Sequence, residues 1–233
     1  MKPYSPLISI CLINYNQGKY LNFLLDSIRN QNYTHVEHIF TDDCSTDNSV
    51  DIIKQSNLNS LTILESKNNM GPSLNANKYI REANGEFIAG VCCDDGFLPE
   101  KLNIQVEAFE KDPSIGAVFT LPSLIDEDNQ PLPDDAYPIF FNKNYKTRFE
   151  FLQYFFFNCN FLLGPSMLIK KACYDSVGLY DSRYLQLQDY EFYIRLCLAG
   201  HEIKLIEEPL TYYRIRDNKK NLSAQSHRFL FLQ

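Results

Sequence analysis

Three strongly apolar runs in the N-terminal half each end abruptly in a polar or acidic cluster, and this repetition limits the fold more than any other feature. Residues 7–13 stop at Asn14-Tyr15-Asn16, residues 36–41 at Asp42-Asp43, and residues 86–93 at Asp94-Asp95. Continuous apolar runs of this length read as buried strands. Segments of helical spacing lie between them: 20–28, with Leu21, Leu24, Leu25 and Ile28, then 49–55, 72–84 and 99–111. Pro72 suits a first helical turn, and Gly85 suits a helix end. Further strands are expected at 61–64 and 115–121. Strands alternating with helices predict a mostly parallel sheet covered on both faces. In such sheets ligands bind beyond the carboxyl ends of the strands, so the three clusters are expected on one rim, with Asp43 and Asp95 together.

The pattern changes after residue 121. Residues 122–146 are rich in Pro, Asp and Asn and read as a long loop. A helix is expected at 147–157, a strand at 165–169, a helix at 189–199 closed by Gly200, and short strands at 203–206 and 210–216. The chain of 233 residues is 45% apolar and 22% charged, which suits one α/β domain or two small ones. Its net charge of −7 and lack of Lys/Arg clusters exclude nucleic acid as a main partner. Seven cysteines without a C-x-x-C pair argue against a zinc site or disulfide framework. A reducing cytoplasm fits them. Met1-Lys2-Pro3-Tyr4 leads directly into a strand, so no signal peptide is expected. Residues 151–169 are too interrupted by polar residues for a membrane span. His35, His38, His201 and His227 have no metal-ligand spacing, and hydrolase-elbow, Walker and dinucleotide-binding sequences are absent.

Each acidic cluster carries two readings. Asp94-Asp95 following an apolar run suits a hard divalent cation shared with phosphates, and Asp-Asp-Gly is also turn chemistry. In Asp42-Asp43-Cys44-Ser45-Thr46-Asp47, one of the last three residues can cap the next helix. That leaves Asp42 and Asp43, either of which could accept hydrogen bonds from a base or ribose. Asp189 at a helix start is a cap or, ionised with a low pKa, a general base. The aromatic run of residues 149–157 reads mainly as core, with an acceptor groove or membrane-facing surface as the alternative.

In this order the segments resemble the family-2 inverting glycosyltransferases of GT-A fold. Residues 7–16 look like the family's first strand, 42–47 like its nucleotide-binding acidic motif, 85–102 like its metal segment, and 188–196 like the segment holding its base. The resemblance spans about residues 6–216. It implies a Rossmann-like, mostly parallel sheet, with residues 1–121 binding the nucleotide sugar, 122–217 the acceptor, and 218–233 forming a tail. It further implies nucleotide contacts from Ile13, Asn14, Tyr15, Asp42 and Asp43, with Asp43 on the base. Asp94 would face ribose or donor sugar, Asp95 would ligate Mn²⁺ or Mg²⁺, and Asp189 would act as the catalytic base.

Four positions depart from the family pattern: Cys92 where Asp is common, Ala76-Asn77 for Arg-Asn, Gln188 for Glu, and Arg216 for His. Arg216 cannot ligate a cation, and Arg214 and Arg216 become candidate diphosphate contacts. The implied activity is transfer of a hexose or N-acetylhexosamine, from a nucleotide-diphosphate donor such as a UDP-sugar, to an acceptor hydroxyl with inversion. The implied acceptor is a glycan or lipid-linked glycan in surface polysaccharide synthesis, with peripheral association at the inner membrane face. The rival readings are a catalytically silent sugar-nucleotide binder or scaffold, and a nucleotidyltransferase, whose Gly/Arg/Lys-rich phosphate loop is missing. Oligomeric state is left open.

Overall fold

A computed structural model describes residues 4–134, 145, 147–158, 160–184 and 187–216. The expected tail at 218–233, Cys159, His227 and part of the expected loop at 122–146 lie outside the described residues. Among the described residues, eight strands, numbered in chain order, form one sheet in the order β3-β2-β1-β4-β7-β6-β8-β5. Four adjacent strands are parallel: β3 (Leu61–Glu65), β2 (Val36–Asp42), β1 (Ile8–Asn14) and β4 (Phe87–Cys92). The short β7 (Leu168–Lys170) runs antiparallel between β4 and β6 (Ile115–Ile125). β6 pairs in parallel with β8 (Glu202–Arg214), and β5 (Gly96–Phe97) closes the edge antiparallel to β8. The expected mostly parallel sheet is thus present, with two short antiparallel strands set into it.

The apolar runs are continuous because both faces of the sheet are covered. Successive residues of a strand point to opposite faces. Ile8, Ile10 and Leu12 join one cluster with Leu21, Leu24 and Ile28 of α1 (Gly18–Arg29) and Leu102 and Val106 of α4 (Lys101–Lys111). The intervening Cys11 points to the opposite cluster. There it meets Tyr79 and Ile80 of α3 (Pro72–Glu82), Phe151 and Phe155 of α5 (Arg148–Asn158), Cys173 and Tyr174 of α6 (Lys171–Val177), and Phe192 and Tyr193 of α7 (Gln188–Leu198). The short α2 (Ser49–Lys54) buries Ile53 on the first side. Gly90 in β4 permits a close approach, because a Cβ there would sit 2.2 Å from Met167 Cε and 3.0 Å from the Tyr79 hydroxyl.

Several boundaries differ from the sequence reading. The two expected late strands are one, β8, whose register against β6 shifts twice around Leu121, the partner of Pro209. Proline has no N–H for the ladder, so the interruption in sequence is a bulge rather than a strand end. β6 extends to Ile125, into the expected loop. The expected strand at 165–169 is a single 3₁₀ turn, Gly164–Ser166, followed by β7. β5 and α6 were not legible as elements, although Gly178, at φ +83°, ends α6 as a C-terminal glycine does. The aromatic run divides. Phe151 and Phe155 are buried, while Phe149, Phe156 and Phe157 are 70–77% exposed. The six described cysteines are all free thiols.

Lys101 begins α4 and is fully buried. Its Nζ donates to Gln105 Oε1 at 2.8 Å and lies 4.2 Å from the Phe97 ring centroid. Gln105 Nε2 in turn donates to the carbonyls of Val118 and Ser166. Burial pulls the Lys101 pKa down to about 7. An unfolded lysine titrates near ~10.4, so folding near neutral pH works against the proton. That penalty is full below the folded pKa and vanishes as pH rises past the unfolded one. Lys101→Met is therefore expected to stabilise the fold by about 1–3 kcal/mol at pH 7. The gain should shrink toward pH 10, as measured by urea denaturation across that range.

Candidate active site

β1, β2 and β4 lie side by side, so their carboxyl ends share one rim. The Asp43 N–H donates to the Asn14 carbonyl at 3.0 Å, and the Cys93 N–H to that of Ile13 at 3.1 Å. All three polar clusters therefore meet, as the strand-then-acid repetition predicts. Asn14 is buried, and its Nδ2 donates to Asp42 Oδ1 at 2.7 Å and to Ser45 Oγ at 3.0 Å. Asp42 also accepts the Ser45 hydroxyl at 2.6 Å and the Ser45 N–H at 2.8 Å. Both Asp42 oxygens thus knot the loop, and Asn16 and Cys44 beside it take left-handed φ values of 54° and 67°. Such conformations are strained for residues with a Cβ and hold only when their surroundings over-determine them. The N-cap of α2 is Asn48, and Asp47 just before it ties two helix starts together, accepting the Gly18 N–H of α1 at 2.8 Å and the Ser49 N–H of α2 at 3.0 Å.

Asp43 stands at the rim with its two oxygens accepting the Met70 and Gly71 N–H groups, each at 2.8 Å. One donor on each oxygen leaves acceptor capacity on both. Tyr15 is 48% exposed beside it, and Ile13 is half-buried below.

The acid turn after β4 is nearly closed to solvent, with Asp94 9% and Asp95 2% exposed. Burial raises the Asp94 pKa, against the pull of the Arg216 and Arg214 charges. Asp95 is raised well above the usual carboxylate range, first by burial and then by the Asp94 charge. Asp95 Oδ1 accepts the Arg214 backbone N–H at 2.9 Å, and Arg216 Nη1 lies 3.4 Å from Asp94 Oδ2. The ligand atoms of Cys92, Asp94 and Asp95 all lie within 4.8 Å of one another. Burial first, then the charges of Asp95 and Asp94, keeps the Cys92 thiol protonated. The two carboxylates match the oxygen ligands of Mg²⁺ or Mn²⁺. A neutral thiol is a poor partner for Mg²⁺.

Arg214 corrects one expectation. Proposed from sequence as a diphosphate contact, it is 0% exposed. Its Nε donates to the Asp94 carbonyl at 2.8 Å, its Nη2 to Asn129 Oδ1 at 2.7 Å, and its Nη1 to the Asp126 carbonyl. The guanidinium also lies 4.5 Å from the Tyr20 ring and 5.2 Å from Phe23. Arg214 therefore builds the floor of the site, and Arg216, partly exposed, is the arginine that reaches the rim.

Asp189 lies in the first turn of α7. Its Oδ1 accepts the Tyr190 N–H at 2.7 Å, and its Oδ2 accepts Asn160 Nδ2 at 3.0 Å. The expected low pKa is overturned. Burial raises it to about 6, outweighing the Tyr190 and Asn160 donors and the helix start. The charge of Asp189 is felt at Cys92, as are the stronger effects of Asp95 and Asp94. Asn160 carried no sequence signal because its partner lies 29 positions away. Asn77, at the Asn of the family's Arg-Asn, clamps Tyr180 by donating to its carbonyl and accepting its N–H.

An α/β sheet of this order, with acidic turns gathered at the ends of β2 and β4, is the GT-A architecture of nucleotide-sugar transferases. The chain belongs to glycosyl transferase family 2, whose sequence profile matches residues 9–178. It is 32% identical over 219 residues to an uncharacterized glycosyltransferase of Methanocaldococcus jannaschii, covering 91% of this chain and 73% of that protein. S. aureus TarS 1–349 in complex with UDP-GlcNAc superposes with a TM-score of 0.73 at 21% identity, over 93% of this chain and 60% of that one. The mannosyltransferase PcManGT of Pyrobaculum calidifontis, in complex with GDP-Man and Mn²⁺, gives 0.69 at 16% identity, over 97% and 61%. The chain thus spans about three-fifths of both solved chains, and these two likenesses establish the fold.

Removing the Arg214 fork would orphan the buried Asp94 carbonyl and take one of two neighbouring cations from the acid pair. Arg214→Met is expected to cost about 3–5 kcal/mol of stability, and Arg214→Lys to recover only part of it. Chemical denaturation of the two variants checks this ranking.

Proposed function

We propose that the protein transfers a hexose or N-acetylhexosamine from a nucleotide-diphosphate donor, a UDP-sugar by preference, to an acceptor hydroxyl with inversion. The observation that carries this reading is the meeting on one rim of Asp43 and the Asp94-Asp95 turn, with Asp189 at the start of α7 as the candidate base. The UDP-GlcNAc complex of TarS and the GDP-Man and Mn²⁺ complex of PcManGT support the donor class. Residues 1–121 would bind the donor and residues 122–217 the acceptor. A glycan or lipid-linked glycan acceptor, in surface polysaccharide synthesis at the inner membrane face, completes the reading. Among the described residues no helix is long and apolar enough to cross a membrane.

Roles follow from position. Asp43 keeps acceptor capacity for a base N–H, with the backbone of Ile13 and Asn14 and the ring of Tyr15 beside it. Asp42 shapes this pocket by holding Ser45. Asp94 and Asp95 would hold Mn²⁺ or Mg²⁺, which supplies positive charge to the departing diphosphate. Arg216 lies beside Asp94 and can reach the same phosphate oxygens. Asp189 takes the acceptor proton onto a carboxylate oxygen as that hydroxyl attacks the anomeric carbon from the face opposite the diphosphate. A pKa of about 6 leaves it ionised at pH 7 yet basic enough to receive the proton.

Three outcomes test the proposal. Uridine diphosphate is expected to bind more tightly with Mn²⁺ than with EDTA by calorimetry. Asp95→Asn keeps an acceptor for the Arg214 N–H and should erase that difference; undiminished Mn²⁺ dependence would remove Asp95 as a ligand. Asp189→Asn should lower turnover by about 10²–10⁴ while donor affinity stays level, whereas a near-native rate would reduce Asp189 to a helix-start residue. In the native protein kcat/KM should fall as pH drops below about 6, because protonation of Asp189 removes the base form. An acid limb unrelated to that value would assign proton transfer elsewhere.

A further inference from the structure

The six described cysteines divide by what surrounds them. Cys11, Cys173 and Cys197 pack in one apolar cluster and Cys93 in the other. Cys44 donates to the Lys67 carbonyl at 3.5 Å. Cys92 does neither. Among the described residues its half-buried thiol belongs to no apolar cluster and makes no hydrogen bond, and it stands beside the two acids of the site. A thiol that only fills space calls for apolar neighbours; Cys92 has carboxylates instead.

Local backbone geometry puts it there. Cys92 is the last residue of β4, opposite Ile13 of β1. The Asp95 N–H donates to the Cys92 carbonyl at 3.0 Å, so the chain folds back in a tight turn. Cys92 Sγ and one oxygen from each of Asp94 and Asp95 lie within 4.8 Å of one another. Two ligands of a single cation are separated by at most the sum of their bond lengths, ~4.4 Å for a thiolate sulfur and an oxygen. The three atoms thus span about the width of one coordination shell. Asp95 Oδ1 accepts the Arg214 N–H, which leaves that carboxylate further acceptor capacity for a cation.

We infer that Cys92 is a third ligand of the cation held by Asp94 and Asp95, and that its sulfur selects Mn²⁺ and more thiophilic divalent ions such as Co²⁺ against Mg²⁺. This rests on the reading of the acid pair as the cation site. Mg²⁺ takes oxygen ligands in near-ideal octahedral geometry. Thiolate is a soft donor, and first-row transition ions accept it with affinities that rise from Mn²⁺ to Co²⁺. On binding, the thiol passes its proton to solvent and the sulfur meets the cation as thiolate. Burial and the neighbouring acids oppose that loss while the site holds no cation, and a divalent charge at bonding distance reverses the balance.

The test uses the full chain, uridine diphosphate and the metal ions themselves, and needs no turnover. Co²⁺ bound by a thiolate absorbs in the near ultraviolet by charge transfer from sulfur, a band that oxygen ligands do not give. Titration with Co²⁺ should raise this band in the native chain. Cys92→Ser keeps the size of the side chain and should lose the band while still binding Mn²⁺ through the two carboxylates. Cys92→Asp, read independently by calorimetry, exchanges sulfur for an oxygen ligand, and the ratio of Mn²⁺ to Mg²⁺ affinity should fall by roughly tenfold or more. Co²⁺ binding without the band in the native chain, a band that persists in Cys92→Ser, or an unchanged ratio in Cys92→Asp overturns the inference and leaves the carboxylate site standing. A native chain that binds no divalent ion overturns that site and the inference with it. Asp95→Asn separates the two, because it should abolish Co²⁺ binding whether or not sulfur takes part.

Discussion

Two neighbouring carboxylates held out of water repel each other, and the structure around the end of β4 answers that repulsion. Asp95 takes the backbone N–H of Arg214, and Arg216 stands against Asp94. The Arg214 guanidinium binds the Asp94 carbonyl beneath them. These contacts fasten the end of β4 to the end of β8, strands separated in the sheet by β7 and β6. The pairing of β5 with β8 strengthens the same seam. Without compensating charge the acid turn would protonate or swing to solvent, and the rim would lose its shape.

The same arginine links the turn to the segment after β6. Its contacts with Asp126 and Asn129 place that segment over Tyr20 at the start of α1. Asp47 meanwhile joins the starts of α1 and α2. Loop residues on this rim are thus positioned by buried hydrogen bonds to the sheet and helices. That suits a site whose chemistry depends on carboxylates held at fixed places before substrate arrives. Asp189 follows a different logic. It is raised toward neutrality by burial, while Asp43 has each oxygen held by a backbone N–H. In the proposed reading, one kind of side chain would serve recognition, cation binding and proton transfer, according to its surroundings.

The parallel half of the sheet was legible because continuous apolar runs ending in acids encode both burial and direction. The ordered motifs carried the family as well. The antiparallel insertions were not legible. β5 is two residues long and β7 three, too short for any periodicity, and both exist because longer neighbours offer them an edge. β8 looked like two strands because Pro209 interrupts the run, and only its pairing with β6 reveals one strand with bulges.

What the sequence by itself determined is the rim: which residues end β1, β2 and β4, and therefore that Asn14, Asp43 and Asp95 meet. Strand period and strand direction are local properties, and adjacency of parallel strands does the rest. What only the tertiary structure decided is the state of each charge. Arg214 and Arg216 are two positions apart and equivalent in composition, yet one is buried as a structural fork and the other reaches the rim. Asp189 at a helix start looked like an acid of low pKa, but burial against α5 and the tyrosine-rich core reverses the direction. Desolvation depends on everything packed around a group, and that is set by contacts between residues far apart in the chain.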